Sequence, residues 1–166
     1  MPIENINIYK EDYSEIKEIL IREKKILDAK LIVLIDKSGQ PIVTTDSANI
    51  DLMGVCSLIA ADYAATNHLA TLVGEIGFST LSHQGINNNI LIQLVNERFI
   101  LAIITKKTTP FGRMKVQAVN VSVELKDVFI KIENKMKRSN GLKENEKEFS
   151  EIEIGETLDD FFEQFK

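Results

Sequence analysis

The stretch from residue 52 to residue 74 reads as a long helix in which only Asp62 carries a formal charge. Asp51 stands before it as an N-cap, and Gly77 follows soon after Val73 as a stop. Projected at about 100° per residue, Val55, Leu58, Ala65, Leu69, Leu72, Val73 and Ile76 form one apolar arc, the face expected to meet a core. The opposite arc holds Cys56, Ala60, Tyr63, Ala64, Asn67 and Thr71, where a solvated helix would show Lys, Glu and Arg. A helix of this kind is covered on both sides, and a small domain has little room to enclose one completely. The second arc is therefore expected to meet another protein chain. Ala60 and Ala64 lie one turn apart there and let a second backbone approach closely. Enclosure within a single-chain core is the alternative.

With 166 residues, a net charge of −5 and 44% hydrophobic residues, the chain suits one globular domain with a tail. Cys56 is its single cysteine, which leaves neither a disulfide framework nor a thiolate metal site. No basic, apolar leader opens the sequence and no apolar run reaches membrane-spanning length, so a cytoplasmic protein without membrane insertion is expected. An acidic balance with few aromatic residues speaks against a nucleic-acid surface.

Asp12 is placed to cap a first helix ending near residue 28, with Tyr13, Ile16, Ile19, Leu20, Glu23 and Leu27 along its inner stripe. Residues 31–35 form a buried strand, Asp36-Lys-Ser-Gly39 a turn, and residues 41–45 the returning strand, with Pro41 at its start or on an edge. After the charge-poor helix come strands over 78–85, 90–95 and 99–105, separated by a turn at Asn87-Asn88-Asn89 and a hairpin at Asn96-Glu97. Pro110 precedes a last helix over 111–135, on which Val116, Val119, Val123, Phe129 and Ile132 fall at helical spacing. The order α-β-β-α-β-β-β-α predicts an α+β fold with a five-stranded antiparallel sheet and helices on both faces. The polar strand 78–85 is an exposed edge, suited to pairing with its copy across a two-fold axis. Tyr63, Phe78, Thr80 and Ser82 form the expected dimer interface.

Beyond the domain at 1–135, residues 136–150 are charged and nearly devoid of apolar side chains, which predicts a flexible linker. Residues 151–166 then carry Leu158, Phe161, Phe162 and Phe165 at i, i+3, i+4, i+7, with Glu156, Asp159, Asp160 and Glu163 between them. An amphipathic helix this short needs a surface, either its own domain or a partner's groove.

Catalytic constellations are missing. His68 and His83 have no metal-ligand spacing, Ser57 and Ser79 have no nucleophile context, and no glycine-rich phosphate loop follows a strand. No cofactor, metal or catalytic residue is expected. Asp62 falls on the arc assigned to the core, where hydrogen bonds must satisfy it. Lys106, Lys107, Arg113 and Lys115 flank Pro110, a setting for an anion or for an acidic protein surface.

The block Leu31-Ile-Val-Leu-Ile-Asp-Lys-Ser-Gly-Gln-Pro-Ile-Val, followed by Ser57-Leu-Ile-Ala-Ala-Asp-Tyr-Ala-Ala-Thr-Asn-His-Leu-Ala-Thr-Leu-Val-Gly-Glu, resembles the roadblock family of dynein light chains and GTPase regulators. Ile8-Tyr9, His83-Gln-Gly and Thr109-Pro-Phe-Gly-Arg-Met-Lys add to the likeness, which spans residues 6–134. The resemblance implies a homodimer joined through the third strand, with the charge-poor helices side by side. It also implies that those helices bind a Ras-like small GTPase and stimulate its GTP hydrolysis without supplying a catalytic group. Ala60, Ala64, Asn67, His68, Thr71, Arg113 and Lys115 are the positions this assigns to GTPase contact. Leu158, Phe161, Phe162 and Phe165 become a second docking element. A scaffold or exchange component without activating function, and a small-ligand sensory domain, are the other classes this layout admits.

Overall fold

The computed structural model describes residues 8–45 and 49–163, with side chains described through residue 138. Its elements are α1 (Lys10–Leu27), β1 (Leu31–Asp36), β2 (Pro41–Thr44), α2 (Leu52–Leu72), β3 (Thr80–Gln84), β4 (Asn88–Leu94), β5 (Phe99–Lys106) and α3 (Phe111–Glu163). This is the order expected from the sequence. All five strands join one antiparallel sheet, ordered β2-β1-β5-β4-β3. β1 and β5 are central and apolar on both faces, as continuous β-branched runs should be. β3 lies at an edge, and of its residues Thr80 and Leu81 are half-buried while Ser82, His83 and Gln84 are exposed.

Helices cover both faces of the sheet. On one, Leu31, Val33, Ile35, Ile92, Ile100, Ala102 and Ile104 pack with Cys56, Ile59, Ala60 and Tyr63 of α2. On the other, Phe99 stacks on Phe129 of α3 with ring centroids 4.5 Å apart, and Thr105 Oγ1 donates to Met114 Sδ at 3.4 Å. Arg22 of α1 reaches Glu124 of α3 at 3.1 Å, so these two helices lie side by side. Ile16, Leu20 and Leu27 supply the buried stripe of α1.

Local signals explain most boundaries. The Asp51 carboxylate accepts the Gly54 N–H at 3.0 Å and caps α2 as expected. α1 starts earlier than expected, and Asp12 caps it from inside the first turn by accepting the Tyr9 N–H at 3.3 Å. The turn before β4 is shifted: Gly85 N–H donates to the Asn88 carbonyl at 2.8 Å, so Asn88 and Asn89 already belong to the strand.

Two helices depart from the sequence reading. α2 is rotated by about a third of a turn from the expected orientation, as described below. Val116, Val119 and Val123 of α3 are exposed, and Met114, Ala118, Val121, Leu125 and Val128 are buried instead. α3 has apolar residues around most of its circumference, so periodicity alone does not choose the inner face.

Two compact units divide the chain, one of them Ile8–Phe129, which holds the sheet, α1, α2 and the start of α3. The other contains the rest of α3, which is described as helix to Glu163. Lys and Glu supply six of the fifteen residues over 136–150, and both are good helix formers, so a charged composition admits a solvated helix as well as a coil. The side chains of Leu158, Phe161 and Phe162, and Phe165 altogether, lie outside the described residues.

Candidate functional site

The outer surface of α2 is the most unusual surface of the Ile8–Phe129 unit. Its inward face takes half of the arc expected to point outward: Cys56, Ala60 and Tyr63 are 0%, 6% and 4% exposed against the sheet. Most of the arc expected to form the core faces solvent instead, with Leu58, Leu69 and Leu72 at 73%, 52% and 76% exposure, while Val55 stays packed against the sheet. The sheet explains the rotation. Its α2 face is filled by bulky Leu, Val and Ile side chains, so Cys56 and Ala60 are the residues that let the helix approach closely. Tyr63 closes this core and its hydroxyl donates to the Phe78 carbonyl at 3.3 Å. Burial also raises the pKa of the Cys56 thiol to about 11, so this residue is a packing group.

Ala60 and Tyr63 are therefore buried against the sheet and not on the outer side of α2, where the sequence reading placed them. Ala64, Asn67, His68 and Thr71 are exposed on the outer side of α2, joined by Met53, Ala61 and Ala65. Asp62 is half-exposed rather than buried, and its Oδ2 lies 2.7 Å from His83 Nε2 on β3. That pair fixes which flank of α2 adjoins the sheet edge. By helical projection Leu58 and Leu69 share the flank of Asp62, beside β3. On the other flank Gly39, at φ +93°, brings the β1–β2 turn against the Ser57 backbone, where an added Cβ would meet Cα at 3.1 Å. Large apolar groups thus line the Asp62 flank, and Ala64, His68 and Thr71 lie away from it, while Asn67 adjoins Gly77 ahead of β3.

Phe78 and Thr80 are half-buried and Ser82 exposed along the β3 edge, and Thr80 Oγ1 bonds Gln93 Oε1 at 2.7 Å. Arg113 and Lys115 are not part of this surface. Both are exposed at the start of α3, on the opposite face of the sheet, and Arg113 donates to the Ile26 carbonyl at 2.8 Å. Arg98 is held by Asp36, with Nε 2.6 Å from Oδ2. Burial works to raise the Asp36 pKa, but the bonds from Arg98 and Ser38 outweigh it and hold the carboxyl below its usual range. Leu58, Leu69 and Leu72 are the surface residues that sequence reasoning missed. Their signal was present in the apolar arc but was assigned to the wrong side. Among the described residues no three His, Cys, Asp or Glu side chains converge as a metal site, and no helix is long and apolar enough to cross a membrane.

A broad uncharged helix face lies beside an open sheet edge on this α+β layout, and residues 16–105 match the Roadblock/LC7 domain. The chain belongs to that family. It is similar in structure to Myxococcus xanthus MglB, with 31% identity and a TM-score of 0.71 over 76% of this chain and 96% of that one. The gliding protein MglB of Thermus thermophilus matches at 25% identity and TM-score 0.69, over 75% and 95% of the two chains. A structure described as MglB with tetrameric arrangement shares the fold at 23% identity and TM-score 0.72, over 77% and 97%. No curated protein matches the chain in sequence.

Proposed function

We propose that this protein is a homodimeric regulator of a Ras-like small GTPase of the MglA type, and that it stimulates GTP hydrolysis in a cell-polarity or motility system. The observation that carries the reading is the outer face of α2, with three largely exposed leucines and no Lys, Arg, Asp or Glu at its centre. Exposed apolar area of this kind marks a surface that is covered in the working assembly. Leu58 and Leu69, on the flank beside β3, and Leu72 at the outermost line of α2 form the homodimer contact, which continues into Phe78, Thr80 and Ser82. The small and polar residues Ala64, Asn67, His68 and Thr71 then line a composite surface for the GTPase. An activator built this way reorganises the partner's switch segments and leaves the chemistry to the partner's own residues. The likeness to MglB supports the reading as a GTPase regulator.

The test is single-turnover GTP hydrolysis by a Ras-like GTPase encoded beside this gene, with and without the purified protein. Acceleration that is lost in Ala64→Arg and retained in Arg113→Ala is the expected result. Binding without acceleration would leave a scaffold.

A further inference from the structure

The cations of this acidic chain are not spread evenly. Segments 24–30, 84–88 and 105–115 contain seven of its 20 Lys and Arg residues and one carboxylate, Asp28. They carry a net charge of +6, which leaves −11 on the rest of the sequence. The fold gathers these segments at one end of the sheet. Lys30 N–H donates to the Ile104 carbonyl at 2.8 Å, and Lys107 N–H to the Asn87 carbonyl at 2.9 Å. Lys106 Nζ lies 3.2 Å from Asp28 Oδ2, and Arg113 donates to the Ile26 carbonyl at 2.8 Å. Lys25, Lys30, Lys107 and Lys115 are exposed and without an ion pair among the described residues. Next to Asn87, in the β3–β4 turn, Ile86 is 93% exposed, and Ile26 near the end of α1 adds a smaller apolar area at 37%.

We propose that this end of the molecule docks peripherally on an anionic phospholipid membrane. Charge complementarity and the exposed isoleucine together choose lipid over an acidic protein. Six of the seven cations are lysines. Lysine is a compact point charge on a flexible stem and suits a diffuse negative surface, whereas directed carboxylate recognition favours the arginine fork. A cluster of this size is what an anionic leaflet attracts. Ile86, beside those lysines, matches the boundary between headgroups and acyl chains, where an apolar tip is covered while neighbouring ammonium groups stay wet. The negative charge on the rest of the chain turns this end toward the leaflet during approach. Docking is reversible, because one isoleucine buries little area and salt screens the rest of the attraction. The cluster lies at the strand ends and on the α1 and α3 side of the sheet, so the inference is independent of the GTPase reading.

Co-sedimentation of the full-length protein with vesicles is the test, comparing phosphatidylcholine alone with phosphatidylcholine containing about one third phosphatidylserine. Binding is expected on the anionic vesicles only, and it should disappear at about 0.5 M salt. Lys25→Gln with Lys107→Gln should weaken it about thirtyfold, the effect of two cations near a charged surface. Ile86→Asn should weaken it about fivefold and leave its salt dependence unchanged. All three positions are exposed, and circular dichroism checks that the fold is kept. Equal binding to neutral vesicles, no binding to either kind, or indifference to the lysine changes or to Ile86→Asn would each overturn the proposal. So would retention on immobilised polyglutamate without vesicle binding, which would assign the surface to an acidic protein.

Discussion

Asp62 on α2 and His83 on β3 meet at 2.7 Å across the boundary between the helix and the open edge of the sheet. The contact lies on the flank of α2 that adjoins β3, next to the surface proposed for the second copy. Since the two side chains are 37% and 54% exposed, solvent screens the pair and its contribution to stability is small.

A double-mutant cycle with Asp62→Ala and His83→Ala should return a coupling of about 0.5 kcal/mol, weaker at high salt. The sharper effect should be local, as faster amide hydrogen exchange in residues 80–84. A coupling above about 2 kcal/mol would mean the pair is desolvated in the working assembly.

Leu58→Arg and Leu72→Arg separate the outer face of α2 from its core. Both positions are largely exposed, so each variant should fold normally and yet shift the protein from dimer to a monomer of 18.7 kDa by light scattering. Tyr63→Arg, placed in the core, should instead cost several kcal/mol and give an unfolded or aggregated chain. A dimer that survives both leucine substitutions would sink the assigned interface.

Arg98→Ala tests an electrostatic anchor and an inserted-arginine role together. Asp36 is nearly buried and its pKa lies below the usual 3.8, so ionisation of this group stabilises the fold above that value. The stabilisation declines as pH falls through the depressed folded value. Removing Arg98 should cost about 1–2 kcal/mol at pH 7 and progressively less below pH ~4 in urea melts. Any loss of GTPase activation should stay well below the ~10³-fold that follows removal of an arginine finger.

Glu23→Gln should stabilise the protein at neutral pH. Glu23 is 1% exposed on α1, its Oε1 has no hydrogen-bond partner, and burial raises its pKa above the ordinary 4.5. The folded state therefore holds the proton more tightly than the unfolded chain. Its favourable contribution is complete below pH 4.5 and is lost as pH rises through the folded value. Glutamine mimics the protonated form at every pH, so a gain of about 1 kcal/mol should appear at pH 7–8 and vanish near pH 4. Thermal melts across that range check the sign.

The succession of elements, the central strand β5, the capping carboxylate at Asp51 and the polar edge at β3 were all legible in the sequence. Each is written in local terms: runs of β-branched residues, turn residues between them, and a side chain that bonds a backbone group a few positions away. The same local terms showed that α2 has too little charge for a solvated helix. They did not show which side is in. Leu58 and Leu72 are more hydrophobic than Cys56 and Ala60, and transfer energy alone would bury them. The bulky side chains on the sheet's α2 face admit the smaller residues instead, and only the assembled sheet decides that. Likewise the valines of α3 could be assigned outward only once Met114, Ala118 and Leu125 had taken the inner side. The position of Arg113 and Lys115 across the sheet from α2 was equally a matter of topology. For this chain local sequence determined the elements, and competition for space against the sheet determined the surfaces they leave for other proteins.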